Sequence, residues 1–208
     1  MPEAAESGPR RGEATRQAIE EAAIDLFAER GYHATSMREI AAAAGIQPAA
    51  IYHWFPSKES ILTWLQDDFI DQLETAVNAA VEAADDPAGE LAAAVREHVL
   101  FHGRNPRAAF VTDSEIRALS PEPKSRLIAR RDAYEAMFKG MIERGLEAGE
   151  FEVSDPAVAS YAILLQCTGV ALWYDPAGAL SLERVAEIHV ELVLGSVQAK
   201  RKRGKRGN

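Results

Sequence analysis

The chain has 208 residues, 47% of them apolar and 26% charged, which is ordinary for a soluble globular protein of one domain or two small ones. A formal net charge of −9 makes it a poor general nucleic-acid coat, and a single cysteine, Cys167, excludes an internal disulfide and any Cys-based zinc site. No apolar run approaches the ~18–20 residues of a membrane span, and the N-terminal MPEAAESGPRRGEATRQ lacks the apolar stretch of a secretory signal, so a cytoplasmic protein is expected.

Ala, Glu, Leu, Arg and Ile recur at spacings of three and four, without alternating β-branched runs, which predicts an all-α fold. The first helix is expected over residues 13–30, with Ile19, Ala23, Leu26 and Phe27 as its apolar stripe and Gly31 in the left-handed position at its end. Ser36-Met37-Arg38-Glu39 reads as a capping box that opens a second helix to about residue 43. After the break at Ala44-Gly45, Gln47-Pro48 starts a third helix, which must stop near Phe55 because Pro56 follows. Ser57 caps a long fourth helix, where Ile61, Leu62, Leu65, Phe69, Leu73, Ala76 and Val77 keep helical spacing up to Asp85-Asp86-Pro87. Further starts fall at Pro87, at Asn105-Pro106 and near Ser120-Pro121, the last running to Gly149. Ser154-Asp155-Pro156 opens a helix to about 174, and Ser181 caps a final one to about 198. The sum is nine helices, three short ones at the front and longer ones behind. Cys167 sits in the apolar run AILLQCTGVALW, the setting of a buried, inert thiol.

Helices two and three, joined by a tight turn containing glycine, have the helix-turn-helix layout. Projected at about 100° per residue, Ile51 and Phe55 fall on one side with Trp54 beside them, and these should pack inward. Pro48, Ala49, Tyr52 and His53 fall on the other side. Small residues let a backbone approach the major groove, where a tyrosine reaches a phosphate or a thymine methyl. The stretch TSMREIAAAAGIQPAAIYHWFPSKESIL, Thr35 to Leu62, resembles the N-terminal domain of TetR-family transcriptional repressors without a gap. That resemblance implies Ala49 and Tyr52 in the groove, Tyr52 and His53 on the DNA backbone, and Lys58 on a phosphate at the start of helix four. It also implies Arg38 at a base edge, with Thr35 and Ser36 as phosphate contacts, although Ser36 also reads as the helix cap. Gln47-Pro48 departs from the commoner start of the reading helix, so base preference there is open.

Charge is unevenly spread. The last nine residues, KRKRGKRGN, hold six of the 23 positive charges, leaving 17 against 32 and a body of about −15. Between His33 and Ser60 the charged residues are Arg38, Glu39, Lys58 and Glu59. Operator affinity is therefore expected to rest on helix dipoles, hydroxyls, two cations and an arm carrying Arg10, Arg11 and Arg16, with a shallow salt dependence. The basic tail reads as a solvated terminus rather than a DNA contact.

The larger half carries the partner and effector expectations. TetR-like proteins are homodimers joined by their last two helices. The helix from Pro156, with Tyr161 and Leu165, and the last one, with Val185, Ile188 and Leu192, are apolar enough for that interface. Two half-sites of a near-palindromic double-stranded operator require two readers about 34 Å apart, which makes dimerisation a functional need. Residues 111–151, with LLQCTGVALWYDPAGALS after them, resemble the ligand-binding domains of acyl-CoA-responsive repressors of fatty-acid and steroid catabolism. An acyl-CoA needs an apolar tunnel, for which Phe101, Phe110, Tyr134, Phe138 and Trp173 are candidates, and cations for its phosphates, for which Arg104 and Arg130 are candidates. Against this, Arg130-Arg131-Asp132 also reads as a salt-bridge cluster and the aromatics as plain core. His98 and His102 have the spacing of a two-His metal site, but with no third ligand they read as pocket lining or solvated histidines. No catalytic motif, metal or cofactor is expected.

The expected architecture is thus a two-domain, nine-helix TetR-like protein: an arm at 1–12, a helix-turn-helix domain at 13–57, a ligand-binding and dimerisation domain at 58–198, and a basic tail at 199–208. The leading function is a ligand-responsive, dimeric DNA-binding repressor without a membrane partner, released by a small apolar effector that moves helix four. The rivals are a regulator of efflux that responds to hydrophobic or cationic drugs, a helical architectural protein, and an enzyme using the C-terminal cavity.

Overall fold

A computed structural model of the chain describes residues 11–197; Arg10 and the tail at 199–208 lie outside them. Among the described residues the elements are α1 (Arg11–Arg30), α2 (Met37–Ala43), α3 (Ile51–Trp54), α4 (Lys58–Val81), α5 (Pro87–Arg104), α6 (Pro106–Ser114), a 3₁₀ turn (Glu115–Ala118), α7 (Pro121–Glu147), α8 (Pro156–Thr168), α9 (Val170–Trp173) and α10 (Leu182–Val197). The nine expected helices are present, the eighth divided at Gly169 into α8 and α9. No strand occurs among the described residues.

Local chemistry sets the boundaries. The N–H of Gly31 bonds the Phe27 carbonyl at 2.9 Å with φ of 81°, a left-handed end that a side chain would strain. Ser36 and Glu39 form the expected capping box at α2. Asp86 and Asp155 cap α5 and α8, each with proline in the first turn. The third helix is shorter than expected. Ala50 N–H reaches Gln47 O at 2.9 Å and His53 N–H reaches Ala50 O at 3.1 Å, so residues 47–50 close i→i+3 turns and regular helix begins only at Ile51.

The chain divides into two compact units. The first holds residues up to Phe69 together with Arg107–Ser125; the second holds Ile70–Pro106 and the chain from Arg126 onward. The first is built around Ile19, Ala23, Phe27, Ile40, Ile51, Ile61 and Leu62, all fully buried. Each such large apolar side chain contributes roughly 1.5–3 kcal/mol by leaving water. The second is built on α5 and α10, which pack against each other extensively. Gly103 of α5 lies against Leu182 of α10 so closely that a methyl group there would overlap the leucine side chain.

One expectation is overturned. Pro156–Trp173 spans 18 residues at a mean hydropathy of 1.4, long and apolar enough by length and composition to cross a membrane, yet only 22% of it is buried. The sequence reading missed it because Ser160, Gln166, Cys167, Thr168 and Gly169 interrupt the run without lowering its average below that of a span.

Candidate functional site

In the first unit α2, the turn through Gly45 and α3 form the helix-turn-helix. Ile51 and Phe55 are buried, Trp54 is half-buried, and Gln47, Pro48, Ala49, Tyr52 and His53 are exposed, Tyr52 at 56%. The inward and outward sets lie where the helical projection put them. Arg38 is exposed on α2. The His53 ring meets the edge of Trp54 at 5.4 Å and 84°, which braces the outward histidine from behind.

Three residues expected near phosphates are otherwise engaged. Thr35 is 2% exposed, and its hydroxyl lies 3.0 Å from Gly31 O and 3.3 Å from Leu26 O, so it ties the turn after α1 instead of facing a ligand. Lys58 turns back into its own unit: Nζ donates to Tyr32 O and Thr35 O, each at 2.6 Å, and lies 4.3 Å from the Tyr32 ring centroid. Those carbonyls lie in the loop between α1 and α2, outside either helical hydrogen-bond ladder, so the ammonium serves acceptors that no helix does. Burial lowers the Lys58 pKa, against the pull of Glu115 and Glu39. Arg16 is not an arm residue. It sits on α1 with its guanidinium 3.5 Å from the Trp64 ring and Nε bonded to Glu20 at 2.9 Å. Ser36 is exposed as the α2 cap, its Oγ 2.7 Å from Glu39 Oε2.

A second set of contacts was not visible in the sequence. Residues from α6 to the start of α7 lie in the first unit and hold it through polar bonds. Arg107 pairs with Asp25 at 2.5 Å, Tyr32 N–H donates to Glu115 Oε1 at 3.1 Å, and Ser120 N–H donates to Glu59 Oε1 at 2.6 Å. The last of these holds the Glu59 carboxyl below its usual range. The partners lie 61 to 83 residues apart, beyond any local sequence signal.

In the second unit the effector candidates separate. Phe101, Tyr134 and Phe138 are buried and join through ring contacts around two histidines. His98 stacks on His102 at 4.1 Å and bonds Tyr134 Oη through Nδ1 at 2.9 Å and Thr168 Oγ1 through Nε2 at 3.0 Å. His102 Nδ1–H donates to the His98 carbonyl at 2.9 Å. Burial, then the neighbouring His102 and His189, hold the His98 pKa well below its usual value, so the ring is neutral. Burial likewise keeps the Tyr134 phenol protonated and pushes the Cys167 thiol up to about 12. The histidines are buried, not solvated, and no group of three His, Cys, Asp or Glu side chains among the described residues is placed to hold a metal.

The other candidates are not gathered there. Phe110 belongs to the first unit and is exposed. Arg104 is exposed, 3.8 Å from Glu97, and Arg130 pairs with Asp71 at 2.6 Å and Glu74 at 3.0 Å, the salt-bridge alternative in place of a phosphate clamp. Trp173 is exposed and stacks on His189 at 6.2 Å.

Of the interface candidates, Tyr161, Leu165 and Leu192 are exposed and Ile188 is half-buried. Val185 is 2% exposed inside its own unit, because it falls on the α10 stripe that faces α5. Val158 and Leu172, the latter 75% exposed, extend the exposed apolar set on α8 and α9.

Residues 19–63 match the family described as bacterial regulatory proteins, tetR family, and residues 84–197 match the tetracyclin repressor-like C-terminal domain. KstR2 of Mycobacterium tuberculosis, an HTH-type transcriptional repressor and ketosteroid transcriptional regulator, is 28% identical over 190 residues, 90% of this chain and 92% of its own. Its solved structure superposes with a TM-score of 0.82 at 26% identity, covering 93% of this chain and 99% of that one. A regulatory protein of the tetR family from Rhodococcus RHA1 superposes with a TM-score of 0.84 at 31% identity, covering 90% of this chain and 98% of that one. AibR, solved in complex with isovaleryl coenzyme A and operator DNA, superposes with a TM-score of 0.80 at 27% identity, covering 88% and 99%.

Proposed function

The chain belongs to the tetR family of bacterial regulatory proteins, and on that premise we propose that it is a homodimeric transcriptional repressor released from a near-palindromic operator in the cytoplasm by an acyl-CoA. The observation that carries DNA reading is the outward side of α3 and of the turn before it: Tyr52, His53, Ala49 and Pro48 are exposed while Ile51 and Phe55 of the same short stretch are buried. A helix presenting an aromatic pair beside small residues suits a major groove, where backbone approach and base-edge contact are both needed.

The dimer reading rests on α8 to α10. Val158, Tyr161, Leu165, Leu172 and Leu192 expose large apolar surface on three helices, more than isolated surface residues would. Ser160, Ile163 and Cys167 on the other side of α8 are buried in their own unit, a one-sided pattern that a second copy would complete.

The effector class is supported by AibR, which binds isovaleryl coenzyme A, and by the steroid-linked KstR2. In this chain the buried rings of Phe101, Tyr134 and Phe138 supply apolar wall, and the neutral His98–Tyr134 pair supplies polar groups for a carbonyl. α4 is continuous from Lys58 to Val81 and contributes to both units, so it is the element through which an effector would act on the reader. Such an effector releases DNA only if it prefers one arrangement to the other. Footprinting with pure protein tests the reading. One discrete near-palindrome is expected to be protected and then freed by micromolar isovaleryl or longer acyl-CoA, but not by free coenzyme A. Uniform or absent protection would sink it.

A further inference from the structure

The first unit holds a cavity of about 500 Å³ beside α3, walled by Arg16, Trp54, Phe55, Glu59, Trp64 and Asp67 among others. Its size falls in the ~300–1,000 Å³ range of small-molecule sites. The walls are chemically one-sided. Trp54 and Phe55 come from the end of α3 and Trp64 from α4, and the carboxylates of Glu59 and Asp67 stand with them. Among the described lining residues Arg16 is the one cation, and Glu20 already meets its charge at 2.9 Å. Arg16 also shows what these faces accept, with its guanidinium carbon 3.5 Å from the Trp64 ring centroid and 5.9 Å from that of Phe55. Glu59 is fixed in place by the Ser120 N–H at 2.6 Å.

We infer that this cavity binds an organic cation with an aromatic or quaternary ammonium head, held by the indoles of Trp54 and Trp64 and by the carboxylates of Glu59 and Asp67. The site adjoins the reader. Trp54 ends α3 and touches His53 edge-on, while Tyr52 and His53 face outward, so the cation and DNA meet different sides of one short helix. Binding of the two is coupled and reciprocal: whatever factor the cation applies to operator affinity, operator DNA applies to the cation. The inference stands apart from the acyl-CoA reading, which concerns the second unit.

In the full-length Trp173→Phe protein all tryptophan emission comes from Trp54 and Trp64. Benzyltrimethylammonium is expected to quench it saturably, and neutral benzyl alcohol to bind at least about tenfold more weakly. Glu59→Gln with Asp67→Asn is expected to weaken the cation about tenfold, with the fold kept because an amide oxygen still accepts from Ser120. Thr63→Arg, which tethers a cation inside the cavity, is expected to abolish the quenching. Equal affinity for the charged and neutral probes, or unchanged cation affinity in both variants, overturns the site. Footprinting is scored separately, so its failure would bear on the repressor reading alone.

Discussion

Replacing Lys58 by methionine separates two roles that a lysine at the start of α4 could fill. In the structure its ammonium donates to Tyr32 O and Thr35 O, both at 2.6 Å, and lies on the Tyr32 ring. A hydrogen bond to a charged donor is worth roughly 1.5–3 kcal/mol net at best. Lys58 is only half-buried, which lets water replace part of it, and Tyr32 O keeps a 3.3 Å bond from Thr35 N–H. Methionine preserves the stem, so the expected loss is about 1–2 kcal/mol, or roughly 2–8 °C in melting temperature. Denaturant titration of the full-length dimer measures the first quantity. The salt dependence of operator binding measures the second role, since each lost phosphate contact removes about 0.9 from the slope, and a dimer would lose about 1.8. The structure predicts lower stability with an unchanged slope. A slope reduced by about 1.8 at unchanged stability would refute the inward assignment.

Further outcomes follow from the same geometry. The wild-type salt slope should be shallow, and a value near −9, equivalent to about ten phosphates per dimer, would show that bulk charge carries the affinity after all. Tyr52→Ala should weaken operator binding by roughly 1–3 kcal/mol while leaving the melting curve unchanged, because Tyr52 is exposed; a parallel drop in stability would instead make it a packing residue. Leu165→Glu, at an 80% exposed position of α8, should convert the dimer to monomer in sedimentation, and an unaffected dimer would place the interface elsewhere. His98 is neutral when folded and titrates near 6.5 when unfolded, so the unfolded state binds more protons in acid. Its contribution should be fully present above pH 7 and lost as pH falls below about 6.5, and His98→Gln should flatten that loss; an identical pH profile in both proteins would contradict it.

Much of the reader was legible because its signals are short-range. The Ser36–Glu39 cap, the Gly31 end and the alternation of Ile51 and Phe55 with Tyr52 and His53 all act within four residues. The inward bonds of Lys58 and Thr35 were not legible, because their partners are backbone carbonyls, which no residue type advertises. The second unit was less legible for a different reason. Helical periodicity marks a buried stripe without naming its neighbour, so Val185 read as interface but packs inside its own unit. The pairing of Arg130 with Asp71 and Glu74 depends on two helices meeting 56 to 59 residues apart in sequence. His98 and His102 were correctly spaced on one helix face, but their depth depended on α7 and α8 closing over them.

The polar bonds from Arg107, Glu115 and Ser120 make the DNA-reading unit discontinuous in the chain. A ribosome that has released the first 69 residues has produced the reading helices but not the segment that bonds Asp25, Tyr32 and Glu59. The Tyr32 amide finds its partner only after Glu115 has emerged, and the Glu59 carboxylate only after Ser120. An assembly with that order of synthesis matures its reader late, after all of α5 is outside the tunnel. Swapping readers between relatives by a single cut after α4 would leave these partners behind. A graft that carries residues 107–125 with the first helices would keep them.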